Sequence, residues 1–455
     1  MAILDNKHLT IRKTELTEVE LSDLQEKCSY VDKAVEYQVN QARRRSYPGS
    51  QHALAALKKK MVVRLYSEDE EFIVIPQGLV HCAPSSLQIK DERALPKKSS
   101  YLWHKTPPFP LRYYQREAVD SLKGHSRGQL VLATGTGKSW TMLTLVKEMG
   151  LKTLVICPSS MIGSQLYDLF CKHLGKKAVG MYGAGKKEIK QVTVALYQSV
   201  AKNAELFSDV EMVVTDENQT LGAGSLVAIT SALSHVPFFF SVSATNFRTD
   251  GRTPEIYAAS GDVRYSFDTK RAIQEKFLAQ PVFSVAVVES KGGQHDLKQK
   301  NYTEHVVKNE VLNQKLILDA EKVIAKGMST LILVQEIEHG QAIATALGLP
   351  FANGEDAKSK KYIDHLNAGT IKGLVAGAQM CGIGVDTVRV DCLMMCSFPG
   401  SEGLTLQLLG RGLRMYPGKK KVLVLDYIPQ NNDMLRRHGE QRVRWYEEYG
   451  PVQMR

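Results

Sequence analysis

The sequence predicts a mixed α/β protein with two tandem lobes on parallel sheets, preceded by a small α+β domain. Two observations lead there. From about residue 101, short Val/Ile/Leu runs alternate with helix-like stretches of roughly ten to fifteen residues, the rhythm of βα units whose strands are buried on both faces. The first hundred residues lack that rhythm, and a chain of 455 residues has room for about three domains.

The accessory domain is expected over 1–95. Apolar spacing predicts helices at 20–30 and 33–44, and the acidic SEDE at 67–70 is flanked by 61–66 and 71–75, which reads as a β-hairpin. Prolines and the Lys97/Lys98 pair mark 95–110 as a linker. Within the first lobe, 96–268, strands are predicted at 128–133, 153–157, 192–196, 211–215 and 238–242. Within the second, 269–432, they fall at 330–334, 373–376, 392–396 and 421–426, and 433–455 reads as a C-terminal helical tail. The stretch 265–303 holds FLAQPVF and then a polar, Gly- and Lys-rich run, so it is expected to be a connection and an early loop of the second lobe. Period-two alternation in DCLMMCSF places Cys392 and Cys396 on one buried strand face, as apolar thiols rather than metal ligands.

An apolar fraction of 43% and a charged fraction of 24% exclude wholesale disorder and collagen-like repetition. Lys plus Arg number 59 against 48 Asp plus Glu, and the net charge of +11 suits a polyanionic partner or a basic soluble enzyme. The clusters Arg43, Arg44, Arg45 and Lys58, Lys59, Lys60 offer phosphate contacts, with a solvated basic face as the alternative. Seven scattered cysteines and an opening MAILDNKHLTIRKTEL without a signal-peptide core point to a reducing cytoplasm. The longest apolar runs, such as 236–242, fall far short of the ~20 residues that span a bilayer, so no membrane partner is expected.

The strongest chemical signal is GQLVLATGTGKS at 128–139, a strand that enters a Gly-rich turn and then a helix. Backbone N–H groups of Thr134, Gly135, Thr136 and Gly137 can converge on nucleotide phosphates, Lys138 can neutralise the β/γ-phosphates, and Ser139 can ligate Mg²⁺. Leu132 stands where the G-x-x-x-x-G-K-S pattern has its first Gly, so the match rests on Gly135, Gly137, Lys138 and Ser139. A phosphate loop alone does not choose between a kinase, a GTPase and a motor. The β-run VVTDE at 213–217 adds Asp216, at a strand's carboxyl end for Mg²⁺, and Glu217, to orient the attacking water as general base.

In order along 107–430, these strings and several others resemble the motifs of superfamily 2 helicases and translocases. LRYYQREA at 111–118 resembles the adenine-recognition motif, which implies that Gln115 reads the adenine edge with support from Arg112. VICPS at 155–159 and TVALYQS at 193–199 resemble motifs that hold the nucleic-acid backbone, implying Ser159, Gln198 and Ser199 as contacts. SAT at 243–245 resembles the motif that links hydrolysis to lobe movement through Ser243 and Thr245. CGIGVDT at 381–387 is similar to the motif whose Gly and Asp, here Gly384 and Asp386, contact nucleotide and nucleic acid. QLLGRGLR at 407–414 matches Q-x-x-G-R-x-x-R, implying Gln407 in the site, Arg414 as arginine finger and Arg411 as its assistant, the two arginines sharing one helix face at a spacing of three. The acidic motif departs from many relatives: it reads DENQ, so the coupling position is Gln219, which forms hydrogen bonds but cannot titrate.

The resemblance implies two RecA-like lobes, ATP and Mg²⁺ as cofactors, and hydrolysis coupled to movement along nucleic acid. LRYYQREAV, the FLAQP stretch, GRGLRMYPGK and the small N-terminal domain look most like the compact branch that holds XPB-like DNA helicases, restriction-enzyme motors and phage UvsW-type branch-migration helicases. That branch implies branched DNA such as forks and four-way junctions as substrate, single-stranded-DNA or recombination proteins as partners, roles in replication, recombination or repair, and a host cytoplasm for a phage-encoded chain. An RNA helicase, a restriction-system motor and a regulatory ATPase that clamps nucleic acid without separating strands remain the alternatives.

Overall fold

The computed structural model describes residues 1–44, 50–96, 110–217, 229–245, 251–289, 298–356, 358–382 and 387–455. The chain forms two compact units, Met1–Leu132 with Gly137–Ser266, and Ala133–Thr136 with Phe267–Arg455.

In the first unit an eight-stranded sheet runs Lys186–Lys187, Val179–Gly183, Val192–Leu196, Thr153–Cys157, Met212–Asp216, Phe238–Ser243, Arg127–Leu132 and Val263–Phe267. The six strands from Val179–Gly183 to Arg127–Leu132 are mutually parallel. Runs such as TLVIC are buried along their whole length because helices cover both faces of such a sheet. The register matters for chemistry: Asp216 pairs with Val242, and Val242 with Leu130. Three strands therefore end within two residues of one another, and the residues just beyond them share one carboxyl edge.

The accessory region forms a separate five-stranded sheet, Ser67–Glu68, Phe72–Pro76, His8–Arg12, Ala2–Leu4 and Ile89–Asp91. Leu9, Ile11, Ile73 and Ile75 alternate inward onto Leu24 of helix Glu18–Lys27. The hairpin expected from 61–66 and 71–75 is displaced. Phe72–Pro76 pairs with Ser67–Glu68 across a turn in which Asp69 Oδ1 accepts from Glu71 N and Phe72 N, at 2.8 and 2.7 Å. Val62–Arg64 pairs instead with Ser29–Val31, which replaces the last turn of the helix predicted at 20–30.

The second unit carries a seven-stranded sheet in the order Phe351–Ala352, Gly373–Gly377, Thr330–Val334, Cys392–Cys396, Lys421–Pro429, Gln280–Val288 and Val452–Met454, every neighbouring pair parallel. Cys392 and Cys396 lie buried on one strand face in the core with Ile332, Val375 and Met394. Two expectations change. The stretch 265–303 holds the nine-residue strand Gln280–Val288, with Pro281 at its second position, where a missing N–H is tolerated. The tail is helix Asp433–Glu447 followed by strand Val452–Met454, because Gln280–Val288 offers an edge for it to pair with.

That helix is anchored by charge. Arg442 Nε and Nη2 donate to Asp426 at 2.7 and 3.1 Å, its other donors reach Pro399 O and Tyr427 O at 3.1 Å, and Tyr446 OH donates to Asp426 Oδ2 at 2.8 Å. The Arg442 and Asp426 side chains are 0% and 1% exposed. Among the described residues no helix is long and apolar enough to cross a membrane.

Candidate nucleotide-binding and hydrolysis site

Strand Arg127–Leu132 ends in the turn 133–137, and helix Lys138–Met149 starts from it. Gly135 and Gly137 hold φ of +88° and +91°, a region that costs a residue with a side chain but not glycine. Thr136 Oγ1 donates to Ala133 O at 2.7 Å, closing the turn. A Cβ on Gly137 would lie 2.3 Å from Gln115 Nε2, so a side chain there would also have to displace the Gln115 amide. The loop thus presents backbone N–H groups at a helix N-terminus, with Lys138 and Ser139 in the first turn.

Gln115, 5% exposed on helix Tyr113–Leu122, donates through Nε2 to Gly137 O at 3.4 Å and accepts from Arg112 N at 3.0 Å. Arg112 Nη1 donates to Tyr114 OH at 2.9 Å. The residue expected to read the adenine edge is therefore tied to the phosphate loop.

The neighbouring strand ends bring the acids to the same edge. Asp216 is the last residue of Met212–Asp216 and is 6% exposed. Tyr197 OH donates to its carbonyl at 3.0 Å, and burial, then the Asp216 charge, push the Tyr197 hydroxyl far above its ordinary range, so it remains a donor. Glu217 has φ of +52°, a left-handed conformation that costs a non-glycine residue about 1–3 kcal/mol and clusters at functional sites. That backbone turn, held by Glu217 N donating to Val242 O at 3.1 Å, aims the carboxylate across the edge. Glu217 Oε1 lies 2.6 Å from Lys138 Nζ, with the two side chains 14% and 13% exposed, and Oε2 accepts from Ala244 N at 3.5 Å. Ser243 and Thr245 close a turn in which Thr245 N donates to Ser243 Oγ at 3.1 Å and the Ser243 hydroxyl donates to Thr245 O. The SAT backbone and the acid therefore touch directly, a contact with no signature in either string.

Ser139 hydroxyl and Asp216 carboxylate are hard oxygen donors of the kind Mg²⁺ shares with nucleotide phosphates and water, which suits an ion held by few protein groups. Among the described residues no cluster of three His, Cys, Asp or Glu has metal-site geometry.

Ser159, Gln198 and Ser199 follow strands Thr153–Cys157 and Val192–Leu196 on the same carboxyl edge. Ser159 Oγ caps helix Ser160–Leu174 by accepting from Ile162 N at 3.3 Å; Gln198 is exposed and Ser199 half-buried. Arg43 is exposed near the end of helix Lys33–Arg44; the Arg44 side chain, Arg45, Gln219, Gly384 and Asp386 lie outside the described residues.

In the second unit, helix Glu402–Leu413 carries Gln407, half-buried, and Arg411, 6% exposed, whose carbonyl accepts from Thr387 Oγ1 at 3.2 Å. Arg411 and Arg414 do not share a helix face. The helix stops at Leu413, whose carbonyl accepts from Ala279 N at 2.7 Å, and Arg414 is extended, bridged to Leu278. Burial lowers the Arg414 guanidinium to about 10, which still leaves it cationic at neutral pH.

A family model described as "Type III restriction enzyme, res subunit" matches residues 108–248. The chain is 26% identical over 325 residues to a putative DNA 3'-5' helicase Rad25 of Halobacterium salinarum, covering 69% of this chain and 53% of that protein. It is 27% identical over 330 residues to a DNA 3'-5' helicase XPB of Kineococcus radiotolerans, covering 67% and 57%. This chain is similar to XPB- and Rad25-type DNA helicases. It spans a little over half the length of those two relatives. Among solved structures, a fragment of a putative HsdR subunit of a type I restriction enzyme from Vibrio vulnificus aligns with a TM-score of 0.57 at 18% identity, covering 78% of this chain and 69% of that one. The fold is that of tandem RecA-like α/β lobes.

Proposed function

We propose that the chain is an ATP hydrolase whose turnover drives movement along, or unwinding of, DNA. The observation that carries this reading is the Lys138–Glu217 pair at 2.6 Å, beside Asp216 and the phosphate loop. A triphosphate that binds the loop takes over Lys138 as its counter-charge and releases the Glu217 carboxylate to accept a proton from the attacking water. Ser139 and Asp216 would hold Mg²⁺, which when bound supplies charge neutralisation to the β- and γ-phosphates. Gln115 and Arg112 orient the base end, and Ser243 and Thr245 report the state of Glu217 to the rest of the lobe. Gln407, Arg411 and Arg414, with Gly384 and Asp386, are proposed to complete hydrolysis from the second lobe, and Gln219 to couple it to nucleic acid.

Ser159, Gln198, Ser199, Arg43, Arg44 and Arg45 are proposed as phosphate contacts, which are sequence-independent and weaken as salt rises. Within this reading the substrate is branched DNA, forks or four-way junctions, supported by the motif resemblance and by a folded accessory domain ahead of the lobes. The test is ATP turnover across single-stranded DNA, duplex, fork, four-way junction and RNA, with strand displacement on a labelled fork. Stimulation greatest on branched DNA, with displacement, supports the proposal. Stimulation without displacement means a clamp, and stimulation by RNA alone means an RNA helicase.

A further inference from the structure

Helix Thr253–Ser260, which begins eight residues after Thr245, belongs to two cores. Ile256 and Ala259 pack with Phe239 in the lobe, whereas Tyr257 and Ala258 pack on the accessory domain's apolar cluster. The approach is close: a Cβ on Gly78 would lie 2.2 Å from Tyr257 O. Charge locks the start of this helix to the accessory domain. Arg252 Nη2 lies 2.6 Å from Asp32 Oδ2, its Nη1 lies 3.8 Å from Glu255 Oε1, and the Tyr30 hydroxyl donates to Glu255. Asp32 and Glu255 are 6% and 7% exposed, so these bonds are shielded from water.

Asp32 has a second duty. Its Oδ1 accepts from Ala34 N at 2.9 Å and Val35 N at 3.3 Å, capping helix Lys33–Arg44, the helix whose far end carries Arg43 and Arg44. One carboxylate therefore binds a basic helix through one oxygen and the ATPase lobe through the other. On the lobe side, Ile256 and Ala259 of the same helix pack with Phe239 of strand Phe238–Ser243, and Ala244, the residue after that strand, donates its N–H to the Glu217 carboxylate.

We propose that Asp32 and Arg252 are positioning residues that transmit nucleic-acid engagement of helix Lys33–Arg44 to the hydrolytic acid Glu217. This rests on the reading of the chain as a DNA-stimulated ATPase. The bonds at this junction are shielded and end on two buried carboxylates, so a displacement of helix Lys33–Arg44 is passed to the start of helix Thr253–Ser260.

The experiment measures ATP turnover of the full chain without DNA and at saturating forked DNA, together with fork affinity by fluorescence anisotropy. Variants are Arg252→Gln, Arg252→Lys, Asp32→Asn, which keeps a competent helix cap, and Tyr30→Phe. For Arg252→Gln and Asp32→Asn, DNA-free turnover and fork affinity should stay within about 2-fold of wild type while stimulation at saturation falls by about 5-fold or more, the lower range of an allosteric coupling. Arg252→Lys, which keeps the ion pair, should retain most of the stimulation, and Tyr30→Phe should show a partial loss. Wild-type stimulation in Arg252→Gln and Asp32→Asn overturns the proposal, as does a fork-affinity loss with full turnover at saturation. If either variant loses DNA-free turnover through misfolding, Arg252→Lys against Tyr30→Phe decides by the same ratio. A wild-type chain that hydrolyses ATP but is not stimulated by any nucleic acid overturns the functional reading itself, a result separate from unequal stimulation among variants.

Discussion

Lys138 Nζ and Glu217 Oε1 stand 2.6 Å apart, so the cation proposed to meet phosphate and the acid proposed to activate water neutralise one another. Removing the acid's charge should separate binding from chemistry. Glu217→Gln is expected to bind ATP at least as tightly as wild type, because Lys138 no longer has a competing anion, and to lose turnover by about 10²–10⁴-fold, the usual worth of a general base. Titration with a fluorescent ATP analogue and phosphate release measure the two; wild-type turnover would remove Glu217 from the role of base.

The buried Arg442–Asp426 pair should be costly to break. Arg442→Met leaves the Asp426 carboxylate without its cation in a site that is 1% exposed, a loss of about 3–5 kcal/mol. Tyr446→Phe removes one hydrogen bond to a charged group and should cost about 1.5–3 kcal/mol. Urea unfolding of both variants checks the order, and an Arg442→Met chain as stable as Tyr446→Phe would mean that water reaches Asp426.

Acid should weaken the second lobe through His339. This imidazole is buried, its Nε2 lies 2.9 Å from Asn313 Oδ1, and burial lowers it to about 4. The folded form is therefore neutral where the unfolded chain, titrating near 6.5, takes up a proton. The resulting stability is complete above about pH 6.5, is lost progressively as pH falls towards about 4, and changes no further below that. His339→Gln keeps a donor for Asn313 and should show a shallower fall in melting temperature across that window. Parallel melting curves for variant and wild type would rule the histidine out.

Much of this architecture was legible because fully buried parallel strands are written as short, continuous apolar runs. TLVIC at Thr153–Cys157 and CLMMC at Cys392–Cys396 begin and end where their hydrophobicity does. Gln280–Val288 was not legible as a strand, since Pro281 and the polar residues after it carry the marks of a connection, and its pairing with Lys421–Pro429 is a tertiary fact. Arg414 failed for a related reason. Spacing continues the helix, whereas Ala279, more than a hundred residues away, takes the Leu413 carbonyl and ends it. At the phosphate loop the residue types were readable because the chemistry demands them in sequence. The left-handed turn of Glu217 and its contact with Ala244 were not, because they depend on Met212–Asp216 lying beside Phe238–Ser243, a tertiary pairing.

The most direct measurement is steady-state phosphate release from Mg²⁺-ATP by the wild-type chain and by Lys138→Ala, each with and without forked DNA. The site described above predicts DNA-stimulated release by the wild type and none above background by Lys138→Ala under either condition. Equal, DNA-stimulated release by both proteins would contradict it, since hydrolysis would then proceed without the cation that starts the loop's helix and pairs with Glu217.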